Sequence, residues 1–485
     1  MGWGGVVLAI LIPWLSGIVW MRLFLGAGRA AVWPISLGYG YFLAAFVSVV
    51  LLRLLSPLGL PVAFWSSMMA LGLLALLGVR RLWRGWPVGF GALPRPKALS
   101  WQGFVYIGLL AWLLARFGAL ALEIWWEPLT PWDAWTTWAL RAKAWSEIGW
   151  LAPFVSPADW LQDPSGHSYT IAAWRYPDTI SLLALWPTLG YGSWSETAAN
   201  LPWLGCILAL GLGFYGQARA WGAEPLPSLV ATWTLLSLPL LDTQVALAGY
   251  ADIWMASVFG LGAIALFQWV RSGDSRQAIL ALGFALFSPL LKAEGLVWAI
   301  LLVPALLAAT LSARSAALLA VAATIGPVLV VAAGGLALTL PWIGSIELSS
   351  SQIKISMLGQ FELGFHDSWA PTANSLLVYG NWHLLGYLLF PAIAVGMFTL
   401  AKNLGKRWLW AQLALVLGSV IALFFLFFMT DAYRWAEQGT SIGRLLLHFM
   451  PVYVFYFLCL WLAWGQVGAE RETADSRQTS VVHSG

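Results

Sequence analysis

Charge is what this sequence has least of: 9 % of its 485 residues are charged, against 60 % apolar. A water-soluble domain carries about 25 % charged residues, so most of this surface must face lipid. Cysteine is nearly absent: Cys206 and Cys459 stand alone inside apolar runs, which excludes a disulfide framework or a thiolate metal site. The five histidines are scattered, and none pairs at metal-ligand spacing. No glycine-rich phosphate loop followed by Lys and Ser or Thr occurs, so nucleotide hydrolysis has no support. The cations are spread among loops rather than gathered in a stripe. The net charge of +4 therefore points to no nucleic-acid partner.

What the chain has is one long apolar run after another, with a mean hydropathy of +0.78. A hydrocarbon core ~30 Å thick takes ~20 apolar residues per helix. The runs predict about thirteen spans: 3–21, 33–53, 60–79, 103–122, 199–217, 226–243, 252–271, 277–291, 294–312, 316–342, 376–400, 408–430 and 444–465. A membrane β-barrel would show short alternating segments instead. The fold class is thus an all-α integral membrane bundle. Residues 3–21, with no basic stretch before them and no cleavage site, read as a retained span. Tryptophan is abundant at 34 residues, and most of these indoles read as an interfacial belt.

Lysine and arginine set the orientation. Loops holding Arg22, Arg80, Arg81, Arg219, Arg276, Lys406 and Arg407 alternate consistently along the chain and read as cytoplasmic. The membrane domain covers 1–465, and the polar tail 466–485 reads as cytoplasmic and disordered. The connections 123–198, 343–375 and 431–443 fall on the outer side. Few cations remain there: Arg141, Lys143, Arg175, Lys292, Lys354, Arg434 and Arg444; the acids Asp133, Asp178, Asp252 and Glu294 share that level. Ionisable groups at a membrane boundary are functional candidates; the plain alternative is snorkelling ends and structural ion pairs. Arg116 is an exception, about two turns short of the outer end of its helix.

In the first outer loop, Thr130-Pro131-Trp132-Asp133 reads as a helix start, with Thr as N-cap and Pro at the first position. At 100° per residue, Trp132, Trp135, Trp138 and Trp145 fall on one side, and Asp133, Thr137, Arg141, Lys143 and Glu147 on the other. That is the pattern of an amphipathic helix lying in the interface, Trp face down. Asp133 has two readings: a first-turn acid complementing the helix dipole, or a carboxylate held at the water–lipid boundary for chemistry. The apolar stretch ending at Leu189 reads as a short helix at or dipping into the outer leaflet, because counting it as a span would break the charge rule.

The string Trp132-Asp133-Ala134-Trp135, followed by Trp138-Ala139-Leu140-Arg141-Ala142-Lys143, resembles the first periplasmic loop of bacterial GT-C glycosyltransferases. These are polytopic enzymes related to protein O-mannosyltransferases and aminoarabinose transferases. Further matches occur in family order: Tyr176-Pro177-Asp178, Gly249-Tyr250-Ala251-Asp252, Lys292-Ala293-Glu294-Gly295, and Arg444-Leu445-Leu446-Leu447-His448 before Pro451. Two features depart from the family pattern: three spans precede the helix leading into the loop, and Arg175 stands where a histidine or another basic residue is expected. The resemblance implies transfer of a sugar from a polyprenyl-phosphate carrier to a lipid, glycan or protein acceptor, at the periplasmic face of a bacterial inner membrane. It makes Asp133 the general base.

The residues suit that chemistry. A base must take the acceptor's proton, and fixed positive charge must stabilise the departing phosphate. Lys292 and Arg444 suit the second role, with Lys143 and Arg175 in reserve. Asp178, Asp252, Glu294, Tyr176 and Trp132 are further polar or aromatic candidates. No cofactor is expected. A divalent cation held by Asp133, Asp252 and Glu294 would match some relatives, but no spacing demands it. The rival readings are a polytopic secondary transporter, or another membrane polymerase or ligase of glycans. A transporter commonly has internal repeats and buried midplane charges; no repeat is found, and most charges outside the cytoplasm lie at one face.

Overall fold

In lipid, a backbone must satisfy its own polar groups, so apolar runs of this length fold as helices. The computed structural model describes residues 2–26, 31–55, 63–84, 100–126, 131–340, 344–402 and 404–482, with the side chains after 465 and several in 313–332 outside that description. The order begins α1 (Trp3–Leu25), α2 (Val32–Leu55), α3 (Phe64–Arg84), α4 (Trp101–Trp126), α5 (Ala139–Ile148), α6 (Pro157–Leu161) and α7 (Thr179–Tyr191). It continues with α8 (Glu196–Ala220), α9 (Pro225–Leu236), α10 (Pro239–Ala246), α11 (Asp252–Ser272), α12 (Ser275–Leu291), α13 (Gly295–Thr310) and α14 (Ala313–Ala332). Then come strands β1 (Leu336–Leu340), β2 (Gly344–Leu348), β3 (Gln352–Ile355) and β4 (Gly359–Glu362). Helices α15 (Trp369–Ala373), α16 (Leu385–Lys402), α17 (Arg407–Met429), α18 (Tyr433–Glu437) and α19 (Ile442–Val482) complete the chain.

Among the described residues, nine helices are long and apolar enough to cross a membrane, or up to ten if the bent pair α9–α10 is one span. The chain is a multi-pass membrane protein. The expected count of about thirteen is corrected at particular places. The span 226–243 is two helices meeting at 62°, because Pro239 starts a new helix and cannot continue the old one. Helices α12 and α13, of 17 and 16 residues, fall short of the ~20 that cross a bilayer core. The run 316–342 ends as helix at Ala332. Gly334 and Gly335 come next at φ 103° and 97°, a backbone that only glycine takes readily, and the chain then turns into a four-stranded antiparallel sheet. That sheet was not expected. Helix α19 continues to Val482.

Helix α11 is the centre of the bundle, buried at every residue from Asp252 to Gln268. It packs against α8, α12, α17 and α19. Membrane helices approach closely where small residues face each other. A β-carbon on Gly260 would lie 2.6 Å from the Pro451 side chain of α19, and one on Gly262 2.9 Å from Phe284 of α12. Helix α7, expected as a short helix at or dipping into the outer leaflet, packs inside the bundle against α1, α2, α5 and α8. It is apolar on all sides, and such helices are buried.

Candidate functional site

Five segments far apart in sequence meet at one end of the bundle. Asp252, fully buried, opens α11. The turn from α12 to α13 brings Lys292 and Glu294; it is tight because a β-carbon on Gly295 would run into the backbone of Ser288 and Pro289. Helix α19 supplies Arg444 and, one turn on, His448. Asp133 stands before α5, and Tyr176 comes from the loop before α7.

Asp252 collects three donors. Lys292 Nζ donates to Oδ1 at 3.1 Å, His448 Nε2 to Oδ1 at 3.0 Å and Arg444 Nε to Oδ2 at 2.8 Å. Trp298 Nε1 lies 3.0 Å from His448 Nδ1. An indole N–H only donates, so Nδ1 accepts and the imidazole proton sits on Nε2, facing Asp252. Lys292 also pairs with Glu294 Oε1 at 3.1 Å, and Arg444 Nη2 pairs with Asp133 Oδ2 at 2.7 Å. Charge-assisted bonds of this kind are about twice as strong as neutral ones. Burial pushes the Lys292 ammonium down, but Asp252 and Glu294 outweigh it and hold its pKa above the usual lysine range. Burial and then the Glu294 charge push the Tyr176 phenol up to about 12, so it stays a donor, 3.5 Å from Glu294 Oε1. The Tyr250 ring lies 4.5 Å from the Arg444 guanidinium; burial, then Asp133, raises its pKa.

Exposure grades outward. The side chains of Asp252 and His448 are 0 % exposed, Lys292 7 %, Arg444 23 %, Glu294 27 % and Asp133 36 %. The cluster is thus rooted in the protein and opens at Asp133. Three carboxylates against two cations leave one net negative charge on it. The two cations expected to hold a phosphate are therefore already engaged, though Arg444 Nη1 and one N–H of Lys292 remain beyond these pairs. Among the described residues, no group of three or more His, Cys, Asp or Glu is arranged to hold a metal ion.

The remaining sequence candidates lie elsewhere. Lys143 is exposed, and Arg175 is exposed over the Trp174 ring at 5.0 Å; neither contacts the cluster. Asp178 serves Arg141, which is 0 % exposed and donates to Asp178 Oδ1 at 2.9 Å and to the carbonyls of Ala173, Trp174 and Tyr176 at 2.7–3.0 Å. Arg141 is thus the staple that holds Tyr176 in place, and burial lowers its pKa against the opposing pull of Asp178. The expected amphipathic helix is corrected too. Residues Ala134–Trp138 form a π-helical turn, whose extra residue rotates helix α5 by about one position. Trp138 and Trp145 point inward with Arg141, while Trp132 and Trp135 stay exposed. The expected cap, Thr130, lies outside the described residues. Asp133 makes no capping bond and pairs instead with Arg444. Sequence reasoning placed His448 and Tyr250 in motifs without a role, and missed Trp298. A lone Trp in an apolar helix carries no local signal of such a bond.

Arg116 of α4 pairs with Asp242 of α10, beside the break between α9 and α10. There the Ser237 carbonyl also accepts from Arg116, at 3.5 Å, and lies 2.8 Å from His383 Nε2. Comparison of the chain with models of known protein families, with characterised proteins and with solved structures gives no match.

Proposed function

We propose that this protein transfers a sugar from a polyprenyl-phosphate carrier to an acceptor hydroxyl on the outer side of the membrane, with Asp133 as general base. The observation that carries the reading is convergence. Asp133, Tyr176, Asp252, Lys292 with Glu294, and Arg444 with His448 come from the separate motifs that resemble GT-C enzymes, and they share one ion network at one end of the bundle. The steps balance. The acceptor oxygen bonds to the sugar's anomeric carbon as the carbon–oxygen bond to phosphate breaks. The electron pair leaves with the phosphate, and the acceptor proton goes to Asp133. Once protonated, Asp133 loosens its claim on Arg444 Nη2 just as the phosphate gains a charge. The net charge of site and substrate stays constant, and Arg444 and Lys292 are the donors at hand for the leaving group.

Two measurements test this. Mass spectrometry of envelope glycans with and without the gene should show loss of one sugar increment, and unchanged glycans would remove the reading. Sidedness is separable: Ser165→Cys should react with an impermeant thiol reagent from outside and Ser476→Cys only from inside, as the Lys/Arg asymmetry requires. Labelling of both from one side would overturn the outward placement of the site.

A second reading, secondary transport, is favoured by one observation. Helices α9 and α10 are an apolar pair bent by 62°, with the Arg116–Asp242 pair beside the break, and transporters use interrupted helices in this way. Proton-coupled uptake lost in Asp242→Asn, with glycans unchanged, would select it.

A further inference from the structure

The small sheet has two unlike faces. Cross-strand partners point to the same side, and the register aligns Leu336 with Leu348, Leu348 with Ile353, and Ile353 with Phe361. Alternation then puts Leu338, Leu340, Ile346 and Ile355 on that side as well. The opposite side holds Thr339, Ser345, Glu347, Gln352, Lys354, Gln360 and Glu362. There Lys354 pairs with Glu347 at 3.0 Å and Gln360 donates to Gln352 at 2.7 Å. No charged residue lies on the first face. None of its residues is buried: Leu336, Leu338 and Leu340 are 40 %, 46 % and 38 % exposed. The alternation is that of a sheet with a core, yet among the described residues no helix covers it.

The chain path says what does. β1 starts four residues after α14, a helix of 20 residues whose one charge, Arg314, is at its start. The far end of the sheet is tied to the end of α17, a candidate span. Gly364 N donates to the Met429 carbonyl at 3.2 Å, and Asp431 N to the Glu362 carbonyl at 3.0 Å. Phe361 meets the exposed Trp435 edge-on at 6.2 Å. The sheet is thus moored at both ends where apolar helices finish, with an aliphatic face and an aromatic at its margin. We propose that this face lies on the lipid leaflet at the same end of the bundle as the ion cluster, as a membrane-resting sheet. Burial of an apolar face at the acyl–headgroup boundary, with charges turned to water, is how interfacial elements are held. The proposal is independent of the reaction.

The test uses the full chain in nanodiscs of phosphatidylethanolamine and phosphatidylglycerol, with a nitroxide on the acyl chain near the headgroup. An environment-sensitive thiol dye is placed at Leu338→Cys and, one residue on, at Thr339→Cys; Cys206 and Cys459 are buried. The pair Ile353→Cys and Gln352→Cys repeats the comparison on an inner strand, should an edge variant fail to fold. Dye at Leu338 and Ile353 should shift to the blue and lose most of its emission to nitroxide lipid, while dye at Thr339 and Gln352 keeps it. Equal quenching of the two faces, or none on either, overturns the proposal. So does disulfide cross-linking of two chains through Leu338→Cys without nitroxide quenching, which would make a second copy the occupant.

Discussion

Turnover in Asp133→Asn is expected to fall by ~10²–10⁴-fold, the usual cost of losing a general base, with donor binding retained. Asparagine keeps the shape of the side chain and an oxygen that can still accept from Arg444 Nη2, now 2.7 Å from the carboxylate. What it cannot do is take a proton from an attacking hydroxyl. Removing one negative charge from a cluster that carries an excess of one should not weaken capture of an anionic carrier. A purely structural Asp133 predicts another pattern: a loss of stability with turnover near wild type. The measurement is sugar transfer by the purified protein, beside donor binding and a thermal melt. Wild-type turnover in a well-folded Asp133→Asn protein would remove this residue from the mechanism.

Much of the scaffold is legible in composition, because in lipid a run of twenty apolar residues has few other ways to satisfy its backbone. What periodicity cannot see are interruptions made by one or two residues. Pro239 splits a span, Gly334 and Gly335 end another early, and the alternating Leu336–Leu340 stretch is apolar enough to pass for more helix. The π-turn at Ala134–Trp138 defeated the helical wheel in the same way, by adding one residue to a turn. Candidate site residues were legible as motifs carrying charge where charge is scarce. Their partners were not. Asp252 and Arg444 are 192 positions apart yet 2.8 Å from each other, and no single-sequence signal pairs Arg141 with the Tyr176 loop rather than with a substrate.

The buried end of the cluster predicts a different outcome from its rim. In Asp252→Asn an amide N–H₂ replaces one acceptor oxygen, yet every neighbour of Asp252 is a donor: Lys292 and His448 on Oδ1, Arg444 on Oδ2. Whichever way the amide turns, a donor faces a donor at a position with no access to water. Breaking a buried ion pair from one side costs ~3–5 kcal/mol, so Asp252→Asn should unfold at markedly lower denaturant, whereas Asp133→Asn should not. Lys292→Met alone leaves Asp252 with Arg444 and His448, and removes the Glu294 partner as well. Combining the two changes removes the ammonium together with the charge it neutralised. The double variant should therefore lose less stability than the sum of the singles, with a coupling of ~1–3 kcal/mol, the upper part of the range for directly contacting residues. Unfolding titrations of all four proteins in one mixed-micelle system measure that term. Strictly additive losses would mean that Lys292 and Asp252 do not support each other, and that the ion network is not the element that fixes this end of the bundle.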